Sequence, residues 1–233
     1  MIKMISEAEF RQNLELLHEQ LANACSSANR SIEEVQILPV TKNWPIEAVH
    51  YAQRAGFLRV GENRVQEAIE KQVGMEGINW DLIGHLQSNK AKLVAGRLSR
   101  VQTVDSSKVL NKLNQALEKS NEQLGIFIQV NTGKDPAKAG VAEEECKSLL
   151  EEAMGFSTIR IEGLMTIAPF APNEPTIARD AFSKLRILRD RLSSQFNLPL
   201  TELSMVMSGD LKEAVMEGST MIRVGSGLYG HRS

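Results

Sequence analysis

The sequence predicts an α/β protein: a single (β/α)8 TIM barrel of eight parallel strands with one extra helix at its N-terminus. Three observations lead there. Eight short apolar stretches alternate with stretches of helical spacing, a pattern that calls for parallel pairing through right-handed crossovers. The eight units fit within about 200 residues, the scale of a small barrel. No GxGxxG turn follows the first strand, which disfavours the alternative, an open doubly wound sheet.

Each element has its local cause. Ser6-Glu-Ala-Glu9 is a capping box, and Phe10, Leu14, Leu17 and Leu21 then share one helical face. A second box, Ser31-Ile-Glu-Glu34, leads into the first strand. Strands are expected at 35–41, 58–61, 80–84, 100–104, 125–131, 160–167, 203–207 and 221–225. Helical stretches begin near Pro45, Arg64, Ser88, Ser106, Glu143, Thr176 and Asp210. Leu110, Leu113 and Leu117 carry the helical period in one of them, and Phe182, Leu185, Leu188 and Leu192 in another. Pro39 removes a ladder donor from the first strand and is expected to mark a bulge. Pro169, Pro172 and Pro175 cluster after the sixth strand in what reads as a surface connection. With no repeat and no linker, residues 1–233 are expected to form one domain.

Composition narrows the function. Hydrophobic residues at 42% and charged residues at 24% suit a soluble globular chain. A formal net charge of -2 gives no basic surface for nucleic acid. Cys25 and Cys146 stand alone, without CxxC spacing, and the four histidines lack metal-ligand spacing, so neither a disulfide framework nor a metal site is expected. No apolar run reaches the roughly 18 residues a membrane helix needs, and the N-terminus has no signal-peptide pattern. A cytoplasmic monomer is the expectation, since no apolar stripe is left over for a partner.

The candidate chemistry lies at strand ends, where barrels of this kind place their sites. Lys42 ends the first strand; its amine attacks an aldehyde only when unprotonated, which calls for partial burial or a nearby cation. Ser208-Gly209-Asp210 ends the seventh strand and opens a helix, and Gly225-Ser226-Gly227 follows the eighth. Turns after strands 7 and 8 often hold phosphate in barrels, through free helix-start amides and close backbone approach. An amine beside two anion-cradling turns suits an aldehyde cofactor that carries a phosphate, and pyridoxal 5′-phosphate (PLP) is the candidate. The bland alternative is a solvated lysine and two ordinary glycine turns. Arg223, inside the last strand, either pairs with a buried carboxylate or donates to the cofactor's ring nitrogen. A permanent cation at that nitrogen keeps it unprotonated and weakens the electron sink. Asn63 and His85, in the turns after strands 2 and 3, either touch the ligand or cap loop backbone. Met165 and Met207 read as core or pocket wall.

Together these segments resemble the pyridoxal phosphate homeostasis protein family. The matching pieces are Val40-Thr-Lys42, Gly61-Glu-Asn-Arg-Val-Gln-Glu67, Trp80-Asp-Leu-Ile-Gly-His-Leu-Gln-Ser-Asn-Lys90, Gln129-Val-Asn131, Lys138-Ala-Gly140, Gly163-Leu-Met-Thr-Ile-Ala-Pro169, Met207-Ser-Gly-Asp210 and Gly218-Ser-Thr-Met-Ile-Arg-Val-Gly225. They run in order across nearly the whole chain. The chain departs from the usual family pattern at Thr41, at Asn43-Trp44 and at Val206. The resemblance implies a barrel of the alanine-racemase N-terminal-domain type, with PLP held covalently as a Schiff base on Lys42. It implies phosphate contacts from Ser208, Gly225 and Ser226, Arg223 at the pyridine nitrogen, and Asn63, Met165 and Met207 on the pocket wall. It also implies a non-catalytic role in intracellular vitamin B6 and amino-acid homeostasis, with PLP-dependent apo-enzymes as transient partners. Neither Tyr51 nor Tyr229 offers the second base that two-base racemization needs, which favours holding the cofactor over turnover. The competing readings are a weak racemase-like PLP enzyme and a cofactor-free lysine aldolase on sugar phosphates.

Overall fold

In the computed structural model, residues 4–171, 173–205 and 209–231 are described. The chain begins with α1 (Glu7–Ser27), started by the expected box: Ser6 accepts from the Glu9 amide while the Glu9 carboxylate accepts from the Ser6 amide. A single 3-10 turn, Ile32–Glu34, carries the second box and delivers the chain into β1 (Gln36–Pro39). Alternation then follows: α2 (Glu47–Arg54), β2 (Arg59–Glu62), α3 (Val65–Gln72), β3 (Asn79–Leu82), β4 (Arg100–Val104), α4 (Ser107–Ser120) and β5 (Leu124–Gln129). The second half adds α5 (Glu143–Met154), β6 (Ile159–Met165), α6 (Pro175–Phe196), β7 (Glu202–Met205), α7 (Leu211–Met216), β8 (Met221–Val224) and α8 (Ser226–Tyr229). Between β3 and β4 the helix expected near Ser88 is a six-residue 3-10 segment, Ser88–Leu93.

All eight strands pair in parallel, in the order β1-β8-β7-β6-β5-β4-β3-β2. The ring closes between β1 and β2 through one bridge, Val40 to Gly61, with the Thr41 amide donating to the Gly61 carbonyl at 3.0 Å. Pro39 explains why that seam is thin. The Gln36 and Val40 amides donate toward β8, so the missing N–H of Pro39, one residue out of phase, faces β2. The expected bulge is absent there, for Gln36 to Pro39 run in unbroken register against Met221 to Val224. Register shifts fall instead between β4 and β5 and between β5 and β6.

The helices bury the faces their periodicity announced: Leu110, Leu113 and Leu117 of α4, and Phe182, Leu185, Leu188 and Leu192 of α6. Inside the barrel a polar chain runs from wall to wall. Arg223 of β8 donates to the Ser204 hydroxyl of β7 at 2.6 Å, and that hydroxyl donates across to Gln102 of β4 at 2.7 Å. Gln102 donates to Asp81 of β3 at 2.8 Å, and Asp81 ion-pairs with Arg59 and with Arg100, the latter at 3.7 Å. Since β4 and β7 are not neighbours, these bonds cross the barrel interior. Burial raises the Asp81 carboxyl above its ordinary range against the pull of both arginines.

Candidate functional site at the mouth of the barrel

A cavity of about 360 Å³ opens at the C-terminal ends of β1 and β8. Lys42, Arg223, Gly225 and Ser226 line it, so four of the residues expected at the site meet from opposite ends of the chain. They meet because β1 and β8 are adjacent and parallel, which brings residue 40 level with the residues after Val224. Trp44 and Ile83 give the cavity an apolar wall, and Val40, Ile167, Gly230 and His231 complete it.

Arg223 is almost fully buried, yet it has neutral hydrogen-bond partners: the Ser204 hydroxyl, and the Thr166 carbonyl at 3.1 Å. The expected alternative of a buried carboxylate partner is not what these bonds show. Burial lowers its pKa to about 10, which leaves it cationic at neutral pH. Gly225 has φ -109° and ψ -83°, outside the usual helical and extended regions, and an added Cβ would make only ordinary contact with Val40 at 3.6 Å. Crowding by neighbouring atoms therefore does not demand a glycine on that wall.

The backbone around Lys42 is held from behind by α3. Lys71 Nζ donates to the Thr41 carbonyl at 2.8 Å, to Glu62 Oε1 at 2.7 Å and to Glu67 Oε1 at 2.7 Å. The Thr41 hydroxyl donates to Glu62 Oε1 at 2.6 Å, and the Asn43 amide donates to Glu67 Oε1 at 2.5 Å. Asn43 takes the left-handed φ of +59° that asparagine tolerates. Burial raises the Glu62 carboxyl above its usual range despite Lys71, and its Oε2 has no hydrogen-bond partner among the described residues. On the other side, Trp44 packs on the buried Tyr229 of α8 at 6.1 Å between centroids, and Tyr229 stacks on Phe10 of α1 at 5.2 Å. Tyr229 donates its hydroxyl to the Ala48 carbonyl at 3.0 Å, and burial raises its pKa.

Other expected site residues lie elsewhere. Asn63 lines a separate depression with Arg64, His85 and Lys90. Its backbone lies so close to Gly84 that a Cβ there would come within 2.2 Å of the Asn63 carbonyl oxygen. The turn after β2 thus packs against the turn after β3, and Asn63 is not among the residues lining the Lys42 cavity. His85 sits in that same depression, 3.4 Å from Asp105. Met165 is fully buried at the end of β6, paired in register with Gln129 and Ser204, and is not among the residues lining the cavity. Met207 and Ser208 lie outside the described residues. Gly209, next to them, borders a groove between α1 and α7. Sequence reasoning missed Trp44 and His231 as wall residues and Lys71 as the support of residue 42. The i,i+4 spacing of Glu67 and Lys71 was a visible signal for the last.

The chain matches the family model for the alanine racemase N-terminal domain over residues 9–233. A protein from Aquifex aeolicus named pyridoxal phosphate homeostasis protein is 34% identical, over 95% of this chain and 97% of its own length. This chain belongs to the pyridoxal phosphate homeostasis protein family. The solved structure of PipY from Synechococcus elongatus, with PLP bound, superposes with a TM-score of 0.79 at 35% identity, covering 91% of this chain and all of that one. An alanine racemase of Clostridium difficile shares the barrel, with a TM-score of 0.76 at 16% identity, and this chain covers 57% of it. Among the described residues, no helix is long and apolar enough to cross a membrane, and no cluster of three histidine, cysteine or acidic side chains could hold a metal.

Proposed function

We propose that this protein holds PLP reversibly, anchored as a Schiff base on Lys42, and buffers it within the cell without turning over a substrate of its own. The observation that carries this reading is the convergence of Lys42, the buried Arg223 and the Gly225–Ser226 turn on one cavity. That cavity is of the size that small cofactors fill. Family membership supports the ligand, as does the relative whose structure holds PLP. When bound, PLP supplies an aldehyde and a pyridine ring able to accept electrons.

This chain's own residues would divide the work. Lys42 supplies the amine. The backbone and hydroxyl of Ser226, with Gly225 and the expected Ser208, receive the phosphate, and the missing side chain of Gly225 leaves room for it. Arg223, cationic and bonded to neutral partners, offers hydrogen-bond donation to the ring nitrogen but no proton that would make the ring a strong electron sink. Trp44 and Ile83 exclude water from one wall. Asn63, Met165 and Met207 remain ligand contacts that the family resemblance alone suggests. In this reading the protein works as a cytoplasmic monomer that hands PLP to apo-enzymes by transient contact.

Borohydride reduction of the PLP-loaded protein followed by peptide mapping tests the anchor. The phosphopyridoxyl mass is expected on Lys42 and is lost, with the visible absorbance band, in Lys42→Ala. Label that stays elsewhere in that variant would sink the assignment. A second reading, a weak racemase-like enzyme, gains from His231, an ionisable side chain on the same wall. Exchange of the α-proton of amino acids in heavy water at catalytic rates, abolished by His231→Ala and by Lys42→Ala, would establish it.

A further inference from the structure

We infer that Lys71, acting with Glu62 and Glu67, is a positioning device for Lys42: a buried charge clamp that sets where the anchoring amine stands. The inference rests on the reading of Lys42 as the PLP anchor. Lys42 lies between two residues that the clamp grips. Before it, the Thr41 carbonyl accepts from Lys71 and the Thr41 hydroxyl donates to Glu62. After it, the Asn43 amide donates to Glu67, whose same oxygen accepts from Lys71. A single ammonium, 9% exposed, therefore ties both flanks of residue 42 to α3. The clamp closes where the ladder gives out, since β1 and β2 share only the Val40–Gly61 bridge and Pro39 offers no donor to β2.

The chemistry needs such a grip. The Lys42 nitrogen must reach the carbonyl carbon of an aldehyde whose other end is fixed at the Gly225–Ser226 turn. A carbon–nitrogen double bond forms, and the carbonyl oxygen leaves as water with the two amine hydrogens. Small displacements of the attacking group from its productive geometry are costly in reactions of this kind. The clamp does not touch the ligand; it acts through the backbone of residues 41 and 43.

Paired ligands separate this role from mere stability. Pyridoxine 5′-phosphate carries the ring and phosphate of PLP but no aldehyde, so its affinity reports the contacts other than the Lys42 bond. The ratio of the two dissociation constants measures the bond. Glu67→Ala removes the acceptor of the Asn43 amide while leaving the Lys71–Glu62 pair and the Thr41 contacts in place, so it keeps most of the clamp's charge pairing. It is expected to weaken PLP by about tenfold, the order of one charge-assisted hydrogen bond, and pyridoxine 5′-phosphate by less than about twofold. Glu67→Gln keeps the acceptor oxygen and is expected to recover most of the ratio. Lys71→Met, wherever it folds, should lose more of the ratio than Glu67→Ala.

A large wild-type ratio that survives Glu67→Ala overturns the clamp and leaves the anchor standing. Equal loss for both ligands overturns it too, by showing general damage. A wild-type ratio near one, matched by Lys42→Ala, brings down the anchor itself and the clamp with it.

Discussion

Two buried cations, Lys71 and Arg223, stand on either side of residue 42, and the protein treats them in opposite ways. Lys71 is neutralised at home, by two carboxylates and a backbone carbonyl within 2.8 Å. Arg223 is the more deeply buried, yet its bonds go to a hydroxyl and a carbonyl, neither of which carries charge. A cation paired internally holds the chain in place; a cation with no carboxylate partner among the described residues is available to a ligand. In the proposed reading the first belongs to the scaffold of the site and the second to its chemistry.

The largest test of that contrast is Lys71→Met. It would leave the Glu62 and Glu67 carboxylates facing one another without their shared cation, and the Thr41 carbonyl with the Trp44 amide as its remaining donor, so a loss of about 3–5 kcal/mol is expected in urea unfolding of the ligand-free protein. Arg223→Met should do far less, within about 1–2 kcal/mol, because Ser204 keeps its bond to Gln102 and the losses are one donor each to two neutral acceptors, the Ser204 hydroxyl and the Thr166 carbonyl. Its effect should appear in PLP affinity instead, at about tenfold. If Arg223→Met unfolds the protein more readily than Lys71→Met, the division between scaffold and chemistry is wrong.

The smallest effect lies in acid. Burial holds Glu62 above its ordinary pKa, while Glu217 is subject to the same push but is carried below its own by Arg179 and Arg186. A raised carboxyl binds its proton more readily in the folded state, so its contribution is present at low pH and lost as pH rises through the folded value. A depressed carboxyl does the reverse, and its contribution disappears as pH falls through the folded value. Between about pH 6 and 3, Glu62→Gln should therefore steepen the fall of the urea midpoint, and Glu217→Gln should flatten it. Slopes that change in the same direction would show that at least one sign is wrong.

The alternation of strands and helices was legible because each helix had to bury one apolar stripe and each strand had to be short. The capping boxes at Ser6 and Ser31 were legible for a local reason: their partners lie three residues away. The segment after Ser88 was legible as helical but not as a 3-10 turn, because its local sequence does not distinguish a 3-10 segment from a short α-helix. At the site, Lys42, Arg223, Gly225 and Ser226 could be paired across the sequence once a barrel was assumed, since a barrel makes its first and last strands neighbours. Position after a strand does not reveal which cavity a turn residue lines, and Asn63 lines the depression beside His85, in a turn whose backbone approaches Gly84 closely. The grip of Lys71 on residue 41 is a contact across thirty positions, and only its helical half, with Glu67, shows in the sequence.

The thin seam between β1 and β2 also ranks the barrel's parts by how readily they open. The β5–β6 ladder is long, with six residue pairs, whereas β1 and β2 are joined by one bridge and a side-chain clamp. Local opening free energies follow such differences, so amide hydrogen exchange at Thr41, whose N–H bonds Gly61 across the seam, should run ahead of exchange at Ile126 and Ile128. A ligand fixed to Lys42 at one end and to the turn after β8 at the other would act as a staple beside that seam. Loading should then slow exchange at Thr41 far more than in β5, making the weakest part of the wall the part that most clearly registers whether the protein is carrying its cargo.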